Sequence, residues 1–443
     1  MQRPLSGFEK AFCLSEPLVP INFCIVACLA EGINETNLRQ ALRDLHKHYS
    51  MAAIRLEHDA NGNPCFTSED VPDFPLQVIE QKGDESWQKI ATQELGKNFD
   101  LQNGPLIRAT LLKRHSDFNQ GATPSGSDLV LTFHHGIADG MSAVFFLHDL
   151  IRLLAEPQSD LPELPQPPDL LELIPGMAKQ SGLLKAQVFG MKSGLWLMQQ
   201  SKHLGLQFKR ADRMIDGAFP WQHFGLTGRC LTQAQTGHLV ARCRAEGTSI
   251  HAAISAAWLQ ALHELGQGNK RKIGTISSPV NLRGLLDLGD VFGMYMSNAV
   301  ITADCDPTYP FWDIAREIKA HLDREIQTGR VYRWAFTMMG LMNSPSDVIR
   351  QAVPTFATQP VGYDFSVSNL GRLSLPDQGN ALKMDCIYGP IVNTSEQELT
   401  VGIATINDKL TMTLTYRDFI LDSVKAEEMA DKVMEILGQA TGW

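Results

Sequence analysis

Leu129–Leu150 reads LVLTFHHGIADGMSAVFFLHDL, and the fold turns on this stretch. Leu129–Phe133 is apolar or β-branched and predicts a strand. From Ser142 to Leu154, apolar residues recur at helical spacing at Val144, Leu147, Ile151 and Leu154. Between these elements lies His134-His135-Gly136-Ile137-Ala138-Asp139-Gly140. Two imidazoles at a strand end, followed by a turn and a helix, form the layout of a site rather than of a packed core.

Side chains alternate across a strand. His135 shares parity with Leu129, Leu131 and Phe133, and His134 with Val130 and Thr132. The rings are therefore expected on opposite faces, one towards a cleft and one held in the scaffold. An imidazole, with an ordinary pKa near ~6.5, can take and return a proton at neutral pH. Gly136 and Ala138 leave room for a substrate, Asp139 can bind a ring nitrogen or an arginine, and Gly140 permits a tight helix entry. A lone histidine in an apolar stretch is ordinarily structural, and two histidines with an aspartate could also hold a metal. Opposite-facing rings argue against a metal, and neither CxxC nor HExxH stands nearby, so no metal site is expected.

The rest of the chain bounds the reading. At 443 residues it can hold two domains, and 44% hydrophobic with 20% charged residues fits a globular protein. A net charge of −10 argues against a nucleic-acid partner. The eight cysteines form no CxxC pair and no dense framework, so reduced, buried thiols and a cytoplasmic location are expected. The N-terminus lacks the basic start and apolar core of a signal peptide, and no run approaches the ~18 apolar residues of a membrane span.

Along the N-terminal half, Phe8–Leu14 is a short apolar piece, Ile21–Ala30 a buried strand, and Asn34 starts a helix carrying Leu38, Leu42 and Leu45 on one face. Ala52–Glu57 and Leu76–Glu80 read as strands, Asn61-Gly62 as a hairpin turn, and Ala109–Lys113 as the strand before the histidines. Phe118–Ser127 reads as a surface loop. Glu156–Pro168 is a proline-rich connector that marks the domain boundary. Met177–Arg210 mixes apolar bulk with lysines. It reads as a helical segment that either packs on its own domain or meets a membrane surface or an acidic carrier protein. In the C-terminal half, helices are expected at Gln233–Glu246, Ser249–Gly266, within Asp306–Gly329 and at Asp422–Leu437. Lys272–Pro279 reads as a strand, and Leu399–Tyr416 as a hairpin around Asn407-Asp408. Trp334–Met342 is bulky and soft, suited to an acyl channel or to a core.

HHGIADG fits the HHxxxDG motif of the condensation-domain and chloramphenicol-acetyltransferase-like acyltransferase superfamily. Other stretches resemble that superfamily in order and spacing: Phe99–Arg108 (FDLQNGPLIR), Val280–Arg283 with Phe292-Gly293-Met294, and Ser368-Asn369 with Gly371. The resemblance implies an α/β (α+β) fold of two lobes, each a mixed sheet with helices, around a central tunnel. We delimit an N-terminal lobe at 1–165, a connector and helical segment at 166–212, and a C-terminal lobe at 213–443. It implies His135 as general base and Arg283 as the partner of Asp139, with His134 and Gly140 supporting the site. Ser366, Ser368 and Asn369 become candidates for the oxyanion or the tunnel.

The substrates implied are an acyl thioester, either acyl-CoA or an acyl-carrier protein, and an alcohol or amine acceptor, with no further cofactor. No Ser or Cys stands in a nucleophile motif such as G-x-S-x-G, so direct transfer is expected. The chain resembles stand-alone polyketide-associated acyltransferases most, with no carrier or adenylation domain expected on it. Pro4–Phe12 (PLSGFEKAF) is a partial echo of wax ester synthase/diacylglycerol acyltransferases, and a catalytically silent acyl-binding member is a further alternative.

Overall fold

The computed structural model describes residues 2–17, 19–115, 124–164, 167–175, 189–190, 224–266, 273–304, 306, 308–342, 362–374, 382–392 and 399–443. Apart from residues 189–190, the segment Met177–Arg210 lies outside them.

The described strands are β1 (Gln2–Pro4), β2 (Asn22–Leu29), β3 (Arg55–His58), β4 (Pro64–Thr67), β5 (Leu76–Glu80), β6 (Ile107–His115), β7 (Pro124–His134), β8 (Phe224–Cys230), β9 (Ile273–Asn281), β10 (Met296–Asp304), β11 (Phe365–Arg372), β12 (Met384–Val392), β13 (Thr400–Ile406) and β14 (Lys409–Arg417). The helices are α1 (Gly7–Ser15), α2 (Glu35–His48), α3 (Trp87–Leu95), α4 (Gly140–Ala155), α5 (Leu170–Leu173), α6 (Gln233–Ala245), α7 (Ile250–Glu264), α8 (Arg283–Leu286), α9 (Phe311–Gln327), α10 (Tyr332–Met342) and α11 (Ser423–Thr441).

Two mixed sheets carry the molecule. One has the order β12-β2-β7-β6-β5, the other β10-β9-β11-β13-β14-β8, and a small sheet β1-β4-β3 stands beside them. The alternation expected of the histidine strand is what covers the first sheet on both faces. Leu129, Leu131 and Phe133 join Phe23 and Ile25 in a core with Leu38 and Leu42 of α2 and Phe146 and Leu147 of α4. Val130 joins Cys24 and Val26 on the other face, under Trp87, Ile90 and Leu95 of α3. The second sheet buries Ile276, Val367 and Val401 against Trp258 of α7, Ile314 of α9 and Val433 of α11.

Local signals set the element ends. Asn34 caps α2, its side chain accepting from Asn37 N, and Asp422 caps α11 by accepting from Lys425 N. Asn407 and Asp408 both take positive φ, 49° and 59°, which is the turn geometry a two-residue hairpin between β13 and β14 needs.

Four expectations change. Phe8–Leu14 is not merely an apolar piece but the body of a capped helix, α1, with Ser6 and Glu9 forming its capping box. The last part of Phe118–Ser127 is strand rather than loop, because β7 begins at Pro124 and pairs Gly126 with Arg114 and Ser127 with Lys113, while residues 118–123 lie outside the described residues. Ser127 is accordingly buried, its Oγ accepting from Ile33 N. Cys230 is exposed, whereas the other described cysteines are buried thiols. Finally, β12 lies within the stretch 213–443 assigned to the second lobe, yet it pairs antiparallel with β2 and forms an edge of the first sheet. The chain thus returns to the first lobe before completing the second.

Candidate active site

β7 delivers the two histidines, and their backbones are pinned from both neighbouring strands. His134 N donates to Leu106 O at 3.0 Å, and His135 N to Ile21 O at 2.8 Å. The rings then part. His134 is fully buried and meets the edge of Phe99, the first residue of the FDLQNGPLIR stretch. Its Nδ1 accepts the Gly136 N–H at 3.0 Å, so the proton of the neutral ring sits on Nε2, 3.5 Å from Glu16 Oε2. A Cβ at Gly136 would come within 2.8 Å of that ring, so the turn needs glycine. His135 lies between Phe12 of α1 and Phe23 of β2, with ring centroids at 5.5 and 4.9 Å.

The decisive detail is on the His135 ring. Nδ1 lies 2.9 Å from Ala138 O, a carbonyl that can only accept, so Nδ1 carries the proton and Nε2 presents its lone pair. Among the described residues, the hydrogen bond of the His135 ring is the one at Nδ1, and none reaches Nε2. Burial pushes the His135 pKa below its ordinary 6.5, with the Ala138 carbonyl and the Asp139 charge pulling back more weakly. The imidazole is therefore neutral at physiological pH, with its basic nitrogen free.

Asp139 takes the second of the roles open to it. It touches no ring nitrogen; it caps α4 and meets an arginine. Oδ1 accepts from Ser142 N at 2.9 Å. Oδ2 accepts from Arg283 Nη1 at 2.7 Å and from Tyr295 N at 2.9 Å. Arg283, 3% exposed and so withdrawn from water, spends its remaining donors on Val291 O, Gly293 O, Asn281 Oδ1 and Ser142 Oγ. Burial alone would push the Asp139 carboxyl up. The guanidinium and the two N–H groups outweigh it and hold the carboxyl below its ordinary value. Arg283 opens α8 in the second lobe, and Asp139 precedes α4 in the first, so the pair ties the lobes directly behind the histidine turn.

Gly140 sits at the same seam. A Cβ there would approach Leu370 Cδ2 to 2.7 Å, so β11 of the second lobe reaches the start of α4. Ser366 is buried in the sheet between Ser277 and Thr400. Ser368 and Asn369 are half-buried, and Asn369 Oδ1 accepts from Gly371 N at 2.7 Å, leaving its amide NH2 as the available donor. None of these three is hydrogen-bonded to His135 in the structure.

Sequence reasoning missed Ser142, the Tyr295 N–H and Glu16. Ser142 had a signal, standing three residues after a helix-capping aspartate. The other two had none, because a backbone donor and a carboxylate more than a hundred residues from its histidine leave no local pattern. Among the described residues, no group of histidines, cysteines and carboxylates is arranged to hold a metal ion, and no helix is long and apolar enough to cross a membrane.

The condensation-domain family model matches residues 21–442. This chain belongs to the condensation-domain family. It is 25% identical over 98% of its length to surfactin synthase subunit 2 of Bacillus subtilis, of which it spans 11%. A plipastatin synthase polypeptide, also of Bacillus subtilis, is 23% identical over 71% of the chain, which covers 12% of that polypeptide. The chain thus spans only a small part of these curated relatives. Among solved structures, the trichothecene 15-O-acetyltransferase TRI3 of Fusarium sporotrichioides superposes with a TM-score of 0.70 at 13% identity, covering 99% of this chain and 95% of that one. Polyketide synthase associated protein 5 of Mycobacterium tuberculosis gives 0.64 at 19% identity, with coverage of 98% and 97%. These neighbours share the two-lobed fold with this chain.

Proposed function

We propose that this condensation-family protein moves an acyl group from a thioester donor, either acyl-CoA or an acyl-carrier protein, to an acceptor hydroxyl, with His135 as general base. The observation that carries the reading is the His135 ring, whose Nδ1–H is committed to Ala138 O and whose Nε2 is left free. In the proposed step Nε2 takes the proton of the acceptor hydroxyl, and the oxygen attacks the thioester carbonyl carbon. A tetrahedral oxyanion forms and collapses, the carbon–sulfur bond breaks, and the thiolate leaves with the proton returned from Nε2. Ser366, Ser368 and the Asn369 amide are the candidate oxyanion donors or tunnel groups. The buried Asp139–Arg283 pair holds the turn that aims the ring.

A second reading, amide formation on an amine acceptor, is favoured by the peptide-synthase relatives. One screen separates the two: free thiol is measured over a series of acyl-CoA lengths and carrier-bound acyl thioesters, each with alcohols and with amines. Acceptor-dependent thiol release with alcohols supports the ester-forming reading. Release with amines alone transfers the assignment to amide formation, and no release under any pairing contradicts both.

A further inference from the structure

The mechanism above makes no use of a buried carboxylate beneath the histidines. Glu16 follows α1 and is 1% exposed, so its partners decide what it does. Oε2 accepts from Ile21 N at 2.6 Å, and Oε1 accepts from Phe99 N at 2.6 Å. Its backbone carbonyl accepts from the Asn98 side chain. One carboxylate thereby joins the end of α1, the approach to β2 and the FDLQNGPLIR stretch.

Two routes lead from it to His135. The Ile21 peptide that donates to Glu16 through its N–H belongs to the residue whose carbonyl accepts the His135 N–H at 2.8 Å. The second route passes through His134, whose Nε2 is buried, has no hydrogen-bond partner, and lies 3.5 Å from Glu16 Oε2. The helix that Glu16 terminates also carries Phe12, which packs on the His135 ring. We infer that Glu16 is a positioning residue, fixing the His135 imidazole through the Ile21 peptide and through His134.

The chemistry of an isosteric change shows why. Glutamine at this position has one acceptor oxygen and one NH2. It can satisfy only one of the two backbone N–H groups, and its NH2 faces the other, donor against donor. Either Ile21 or Phe99 must move, and both movements reach a histidine. Aspartate keeps two acceptor oxygens and the charge, with a shorter reach.

The inference rests on the proposed role of His135, and the test keeps the two apart. Glu16→Gln and Glu16→Asp are compared with wild type and with Asp149→Asn. Asp149 is another buried carboxylate of the same lobe, bonded to the Tyr49 hydroxyl and to His148 Nδ1 rather than to the histidine turn. Acyl transfer is followed by thiol release, and the His135 ring by its 13Cε1–1H resonance in 13C-histidine-labelled protein, assigned by its loss in His135→Ala. We expect Glu16→Gln to lower kcat by about 10–100-fold with little change in KM, and to move the His135 resonance. Glu16→Asp is expected to recover part of kcat, and Asp149→Asn to lower the melting temperature while leaving the resonance and kcat in place. A folded Glu16→Gln or Glu16→Asp protein with wild-type kcat and an unmoved resonance overturns the inference, as does a resonance shift of equal size in Asp149→Asn. If wild type shows no transfer, the functional reading falls, and the resonance alone still decides the place of Glu16.

Discussion

At the residue scale, the account depends on which nitrogen of which histidine is free. His135→Ala should lower transfer by about 10²–10⁴-fold, the cost typical of a lost general base. His134→Ala should keep part of the activity, because its ring faces Phe99 and Glu16 rather than the open side of His135. Equal and complete loss in two folded variants, measured as kcat/KM by thiol release, would contradict the assignment. The pH dependence has a definite sign. Burial lowers the His135 pKa, so the base stays neutral below pH 6.5 and protonates only as pH falls further. The acid limb of kcat/KM should therefore bend below 6.5, and a limb centred at or above that value would show that another group governs it. The sequence showed which residues stand at the turn and that the rings oppose, because strand parity is a covalent regularity. It could not show that the Ala138 carbonyl selects the His135 tautomer, since backbone contacts depend on how the turn closes.

At the element scale, the junction of α4 with α8 is where the two lobes meet chemically. Asp139 caps one helix and Arg283 opens the other, both out of water, so removing either leaves an unpaired buried charge. Asp139→Ala or Arg283→Ala should each destabilise the fold by about 3–5 kcal/mol, and the double variant should cost less than their sum. Thermal or denaturant unfolding checks this, and strict additivity would show that the two do not interact. Resemblance supplied this pair, whereas the run of apolar residues placed α2, α7 and α11, with Asn34 marking the start of α2. Among the elements that escaped were α1, short and masked by its apolar content, and α3, whose Trp87, Ile90 and Leu95 face a sheet side built jointly by β2, β6, β7 and β12.

At the scale of the whole molecule, the division into consecutive lobes is broken by β12, which crosses to pair with β2. Nothing in a strand's own pattern says which sheet it joins, and this is why the crossing was not legible. Its contact with the second lobe has no spare volume: a Cβ at Gly402 of β13 would come within 2.2 Å of Pro390 O, a backbone atom with little freedom to move aside. Gly402→Ala should therefore cost about 1–3 kcal/mol of stability from overpacking. An unchanged melting temperature would show that the lobes are not closed on each other there.

The central claim is that a neutral His135 drives transfer directly between two bound substrates, and one experiment addresses it most closely. The protein is mixed with an acyl thioester that supports turnover, first alone and then with the acceptor, while free thiol and intact mass are followed. The account predicts no stoichiometric burst and no gain of one acyl mass before the acceptor is added, then thiol release that disappears in His135→Ala. A stoichiometric burst with an acyl adduct on Ser366, Ser368 or a cysteine would contradict it.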